Sequence, residues 1–174
     1  MLTVCATHRL ALRRLTVEDA PFIFELVNNE SWLRFIGDKG VRTLADAQKY
    51  ILNGPVEMYT RFGFGLWLVE TRDENSTPIG ICGLIKREAL NDVDLGFAFL
   101  PEFWGKGYAF EAASAAMIYG KMALKLKRIA AITAPDNHRS AKLLVKLGFQ
   151  FERMMQLNGS GDVAFYTACG SDGA

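Results

Sequence analysis

The sequence predicts a single α/β domain over residues 1–174: a mixed, mostly antiparallel sheet of six or seven strands flanked by helices. Three observations predict it. First, the apolar runs Phe64–Glu70, Ile79–Lys86 and Asp92–Leu100 follow one another with only short polar segments between, the pattern of an antiparallel meander. Second, the last of these runs leads through a glycine-rich turn into an alanine-rich helix and then another strand, which places the two flanking strands parallel. Third, the chain closes with two strand-like runs around Asn158-Gly159-Ser160-Gly161, a strong hairpin signal. At 174 residues, half of them hydrophobic, the chain buries a core without disulfide staples.

Each element has a local reason. His8–Thr16 alternates apolar and polar residues and reads as a first strand. Thr16-Val17-Glu18-Asp19 is a helix start, a hydroxyl followed by first-turn acids, and Ala20, Phe22, Ile23, Leu26 and Val27 form the helix's apolar face. Trp32–Ile36 reads as a short second helix, and Gly37-Asp38-Lys39-Gly40 as a loop. Thr43 caps a third helix with Leu44, Ala47, Tyr50 and Ile51 on one face, which Asn53-Gly54-Pro55 interrupts. Gly96, inside the third strand of the meander, predicts a bulge or a close backbone approach. The helix over Phe110–Leu124 is followed by a strand at Arg128–Thr133. Pro135-Asp136-Asn137 turns into another helix carrying Ala141, Leu143, Leu144 and Leu147, which Gly148 ends as a left-handed cap. Phe149–Leu157 and Asp162–Cys169 are the strands of the closing hairpin.

Composition narrows the function. A net charge of +1 implies no basic field for nucleic acid. No apolar stretch approaches a membrane span, and Met1–Leu12 lacks the core and cleavage site of a signal peptide. The three dispersed cysteines, Cys5, Cys82 and Cys169, read as reduced thiols, so a cytoplasmic location is expected. With two histidines and no cysteine cluster, no metal is expected.

Chemistry concentrates at Pro101-Glu102-Phe103-Trp104-Gly105-Lys106-Gly107-Tyr108-Ala109. The first amides of a helix have no partners within it and carry the positive end of the helix dipole. Glycines let that backbone approach an anion closely, and Lys106 adds a charge. A diphosphate-bearing cofactor fits there; a tight βα junction without a ligand is the plainer alternative.

Thirty positions after Gly107 comes Asn137-His138-Arg139-Ser140, on a helix ending in Leu147-Gly148-Phe149. With the glycine turn, and with Phe64-Gly65-Leu66-Trp67-Leu68-Val69 and Ile79-Gly80-Ile81-Cys82-Gly83-Leu84, this order resembles the GNAT superfamily of acetyl-CoA-dependent N-acetyltransferases. Within it, the match is most similar to the RimJ/RimL-like branch of ribosomal-protein N-acetyltransferases, and it covers His8 to Thr167. The superfamily's Gln/Arg-x-x-Gly-x-Gly/Ala loop corresponds to Trp104, Gly107 and Ala109; Trp104 departs from the superfamily norm and fits the branch. The resemblance implies that the amides of Gly105, Lys106, Gly107, Tyr108, Ala109 and Phe110 hold the pyrophosphate of acetyl-CoA. It implies that the edge formed by Phe97, Ala98, Phe99 and Leu100 pairs with the pantetheine amides, with Asn137 opposite.

The implied reaction moves an acetyl group to a primary amine in a ternary complex, without a covalent enzyme intermediate. An N–H of Phe97 or Ala98 would polarise the thioester carbonyl. An α-amine, with pKa about 7.7–8.0 against about 10.4 for lysine, needs less help to lose its proton. Many superfamily members carry a tyrosine acid where this chain has Leu144; in the branch it resembles the serine of Asn-x-x-Ser is the donor to the thiolate, so the resemblance implies Ser140, with a first-turn helix residue as its plain alternative. Tyr166 is a second candidate acid or a packed strand aromatic. Asp94 is the candidate base or a solvated strand residue. Glu111 reads as a first-turn charge or a structural hydrogen-bond partner.

The acceptor side is expected from Asn28–Val41 and the Asn158–Gly161 turn, with Trp32 and Phe35 lining the pocket or belonging to the core. The acceptor is a small-molecule amine or a protein N-terminus; neither nucleic acid nor membrane is expected as a partner, and the assembly state, a homodimer included, is left open. A non-catalytic CoA-binding sensor or structural module is the rival reading, kept by the missing tyrosine at Leu144.

Overall fold

The computed structural model describes residues 3–157 and 161–169. Among them, eight strands form one sheet: β1 (Thr3–Ala6), β2 (Leu10–Arg14), β3 (Leu66–Thr71), β4 (Pro78–Ile85), β5 (Asp94–Phe99), β6 (Arg128–Thr133), β7 (Gln150–Leu157) and β8 (Gly161–Cys169). Their spatial order is β1-β2-β3-β4-β5-β6-β8-β7. Every neighbouring pair is antiparallel except β5 and β6. The strand beyond the seven read from sequence is β1, four residues whose pairing with β2 shifts register between Thr3 and Cys5. So short and irregular a run carries no clean alternation.

Six α-helices complete the fold: α1 (Ala20–Asn28), α2 (Glu30–Phe35), α3 (Leu44–Ile51), α4 (Glu57–Phe62), α5 (Tyr108–Met122) and α6 (His138–Lys146). Two apolar layers separate on the sheet's faces. One packs α5 and α6 onto Trp67, Val69, Cys82, Leu95 and Phe99 through Ala112, Ala113, Ala116 and Leu144. The other packs α1 and α3 onto Leu68, Ile81 and Leu100 through Ile23, Val27, Ala47 and Ile51. The small residues buried on α5 bring its axis close to the strands, and Tyr119 meets Trp67 edge-on at 5.1 Å.

The capping expectation at Thr43 is realised: its hydroxyl accepts from the Asp46 amide at 3.1 Å and donates to the Asp46 carboxylate at 2.9 Å. The interruption at Asn53-Gly54-Pro55 takes a different form from a break. Leu52–Val56 is a π-helical turn with Pro55 inside it, and the chain continues as α4. The wider turn accommodates a residue with no N–H to donate. Tyr59 then anchors α4, its hydroxyl bridging the Leu15 amide at 3.1 Å and the Leu66 carbonyl. A buried ion cluster joins β2 to α1 and β3: Arg13 grips both oxygens of Asp19 at 2.8 and 2.9 Å and Glu70 at 3.0 Å. Among the described residues no helix is long and apolar enough to cross a membrane.

Candidate active site

The sheet opens between β5 and β6. These parallel six-residue strands pair only at Asp94↔Ala130, where the Ala130 amide donates to the Val93 carbonyl at 2.9 Å. Beyond that point they diverge. The Leu100 amide donates to Ile79 of β4 at 3.0 Å, so by alternation the backbone groups of Ala98 and Leu100 turn to β4 while those of Phe97 and Phe99 turn to the gap. This corrects the expected edge: of Phe97, Ala98, Phe99 and Leu100, only the odd-numbered pair offers amides to a ligand, and Phe97 rather than Ala98 is the candidate donor to a carbonyl. The expected bulge at Gly96 is also corrected. Gly96 faces Gly83 in an unbroken β4–β5 register, and a Cβ there would lie 2.7 Å from Ile85 Cδ1. The gap arises from the divergence of β6.

The diverging strands end at two helix N-termini. That of α5 is the glycine turn, where Gly105 (φ 73°) and Gly107 (φ 82°) adopt the left-handed backbone that side chains resist. Gly107 is the N-cap of α5 and no side chain caps the helix. The turn is held from behind. Arg9 donates to the Lys106 carbonyl at 3.0 Å, lies over the Tyr108 ring at 4.6 Å and pairs with Glu111 at 2.7 Å. Glu111 also accepts from the Thr7 hydroxyl at 2.5 Å and the Arg9 amide at 3.0 Å. Burial raises the Glu111 carboxyl, but these hydrogen bonds and the Arg9 charge outweigh it and hold the group below its ordinary range. Glu111 is therefore a brace of the turn. Lys106 carries its ammonium 5.4 Å over the Phe103 ring.

At the mouth of the gap Trp104 Nε1 donates to the Phe99 carbonyl at 2.8 Å, and Arg139 of α6 lies 4.5 Å over the indole ring. Asn137 caps α6, its side-chain oxygen accepting from the Ser140 amide at 3.1 Å. Ser140, in the first turn of α6, lines a cleft of about 800 Å³ together with Thr133, Phe97, Gly96 and Asp94.

Asp94 is fully buried, on the face of β5 shared with Ala98 and opposite Leu95 and Phe97, which removes the reading of a solvated strand residue. Arg87 Nε lies 3.1 Å from each of its oxygens. Burial pushes the Asp94 carboxyl up, against the charge and hydrogen bond of Arg87. Trp32 and Phe35 line the same cleft. Trp32 is 5% exposed, and its indole N–H has no partner among the described residues. Tyr166 is placed differently: it packs edge-on against Phe151 at 5.6 Å within the α5–α6 layer and is not among the residues lining the cleft. Leu144, where the tyrosine acid was missed, is fully buried beneath α6. Of the hairpin turn expected at the acceptor side, positions 158–160 lie outside the described residues.

The acetyltransferase (GNAT) domain family matches residues 9–150. The chain belongs to the GNAT acetyltransferase family. An uncharacterized N-acetyltransferase of Bacillus subtilis, YoaA, is 32% identical over 158 residues, covering 90% of this chain and 88% of the relative. The spermidine N(1)-acetyltransferase of Escherichia coli K12 is 28% identical, covering 84% of this chain and 76% of the relative. Among solved structures, a RimL ribosomal L7/L12 alpha-N-protein acetyltransferase in complex with coenzyme A superposes with a TM-score of 0.81 at 20% identity, over 97% of this chain and 98% of that one. The protein is an N-acetyltransferase with the GNAT fold, and the enzyme reading stands over the non-catalytic module.

The GNAT site holds residues that sequence reasoning passed over. Arg9, Arg87, Tyr50 and Lys39 come from four separate segments, and only the tertiary fold brings them to the turn or the cleft. Burial pushes the Tyr50 phenol up to about 12, with the Arg87 charge opposing it, so the hydroxyl stays protonated.

Proposed function

We propose that this GNAT enzyme transfers acetyl from acetyl-CoA to a primary amine, a small molecule or a protein N-terminal α-amine, by direct attack in a ternary complex. One observation carries the reading: the open Phe97–Phe99 edge leads, through a single 3-10 turn at Pro101–Phe103 and the glycine turn, to the uncapped N-terminus of α5. The amides of Gly105 to Phe110 suit a diphosphate, with Lys106 beside them. The Phe99 N–H and the side-chain amide of Asn137 suit the pantetheine arm. Acetyl-CoA, when bound, supplies an activated acetyl thioester.

The Phe97 N–H polarises the thioester carbonyl, and the cleft aligns the amine with it. The amine nitrogen forms the new C–N bond, the C–S bond breaks, and the nitrogen's proton passes to Asp94 directly or through water. Ser140 returns a proton to the departing thiolate, so the products are the N-acetyl amine and CoA thiol. Two relatives support the acceptor class from both sides, one named for spermidine and one, the ribosomal protein uS5-alanine N-acetyltransferase of Escherichia coli K12, 36% identical over 93 residues, named for a protein alanine. The test is thiol release from acetyl-CoA against a panel of amines. Release that depends on acceptor supports the proposal; CoA binding without release from any amine overturns it.

A further inference from the structure

The acceptor end of the cleft carries an unbalanced charge. Its walls include Arg34, Lys39, Lys49 and Arg87 against Asp46 and Asp94. Arg34 is paired at 3.2 Å with Asp136, outside the cleft wall. Asp46 is engaged by the Thr43 hydroxyl and by the amides of Arg42 and Thr43. Asp94 is engaged by Arg87, but only through Nε; the two terminal nitrogens of that guanidinium have no hydrogen-bond partner among the described residues. Lys39, on the loop between α2 and α3, forms no salt bridge among the described residues. Its neighbour Asp38 is committed to Arg42 through both oxygens. Burial, and then the repulsion of Arg87, hold the Lys39 ammonium below its ordinary range.

Lys39, Lys49 and Arg87 therefore line one cleft whose two carboxylates are already engaged, and the free edge of the arginine fork has the geometry that takes two oxygens of a planar anion. The diphosphate of the cosubstrate does not reach this place. Arg87 lies beside Asp94 at the start of β5, and the glycine turn follows the strand's far end, about 17 Å away along five residue steps. Phe35 and Tyr50 line the same cleft.

Resting on the acetyl-transfer reading above, we propose that the acceptor is an amine that also carries a carboxylate, received by Lys39 and the free edge of Arg87 while the amine faces the Phe97 side of the gap. A polyamine, by contrast, brings a second cation to Lys39 and Arg87 and is disfavoured. The carboxylate belongs either to a free amino acid or to an acidic residue next to a peptide N-terminus.

The test compares thiol release from acetyl-CoA with phenylalanine against phenylalaninamide, with the peptide Ala-Glu-Ala-amide against Ala-Gln-Ala-amide, and with spermidine. The account expects at least about a tenfold preference in kcat/KM for the carboxylate member of one pair. Whichever pair shows it tells a free amino acid from a peptide. The Lys39→Glu variant, changed on an exposed loop, is expected to lose that preference and gain rate with spermidine while calorimetry shows CoA binding retained. Equal rates within both pairs, or spermidine as the best acceptor of the wild-type enzyme, overturn this inference and leave acetyl transfer standing. Thiol release from none of the amines, with CoA still bound, overturns both.

Discussion

Trp104 is hydrogen-bonded to the Phe99 carbonyl across the mouth of the split sheet, and Arg139 from α6 lies over the same indole. One side chain thus ties the glycine turn to the free edge of β5 and to the helix on the far side of the gap. Trp104→Phe keeps an aromatic face for Arg139 and deletes the N–H. A hydrogen bond of this kind is worth about 0.5–1.5 kcal/mol, so CoA affinity is expected to fall up to about tenfold, with little change in Tm. Calorimetric titration of the variant with CoA reads the first quantity and a thermal scan the second.

Ser140 sits in the first turn of α6 with its amide already used by Asn137, and its residue lines the cleft. Ser140→Ala is expected to lower kcat while CoA affinity stays near the wild-type value, because the helix cap belongs to Asn137. Tyr166→Phe, by contrast, changes a residue packed away from the cleft and is expected to leave kcat unaltered. Steady-state kinetics of the two variants separates the candidate acids.

Asp94 must be deprotonated to accept a proton. Because burial raises its carboxyl, the acidic limb of kcat/KM is expected above the ordinary aspartate value of about 3.9. Asp94→Asn is expected to remove that limb and to lower kcat by about 10²–10⁴, measured as a pH–rate profile. Its contribution to stability runs against this activity: a carboxyl raised in the folded state contributes stability below its unfolded value and loses it as pH rises through the folded one.

Asp19 titrates in the opposite sense. Burial raises its carboxyl, but hydrogen bonds from Arg13 and Thr16 and the Arg13 charge hold it below the ordinary value. Its stabilisation is present above about pH 3.9 and is lost as pH falls through the depressed value. Asp19→Asn leaves the buried Arg13 cation without that partner and is expected to cost about 3–5 kcal/mol at neutral pH, with a flatter acid limb in Tm against pH.

The sequence made the sheet legible where periodicity and punctuation agreed. The meander, the parallel crossover and the Thr43 cap are local patterns, so 66–71, 78–85 and 94–99 fall within a few residues of expectation. The π turn at Pro55 was not legible, because proline signals a lost donor and not the geometry that absorbs the loss. The geometry of the glycine turn was legible, since positive φ and a helix start are both local. Its brace was not: Arg9 and Glu111 meet across 102 positions. The pairing of Arg87 with Asp94 depends on how the β4–β5 hairpin folds back, and the place of Lys39 at the cleft depends on a loop with no periodicity. The surroundings of Lys39 and Arg87 in the cleft are therefore set by the tertiary arrangement alone.

The central claim is that the uncapped amides of α5, presented by Gly105 and Gly107, hold the diphosphate of CoA. Calorimetric titration of CoA into the wild-type chain and into Gly107→Glu tests it directly, with circular dichroism to confirm that the variant folds. The account predicts measurable heat and saturation for the wild type and none for the variant, whose carboxylate would crowd the anion. Undiminished binding to a folded Gly107→Glu variant, or no binding to the wild type, would contradict it.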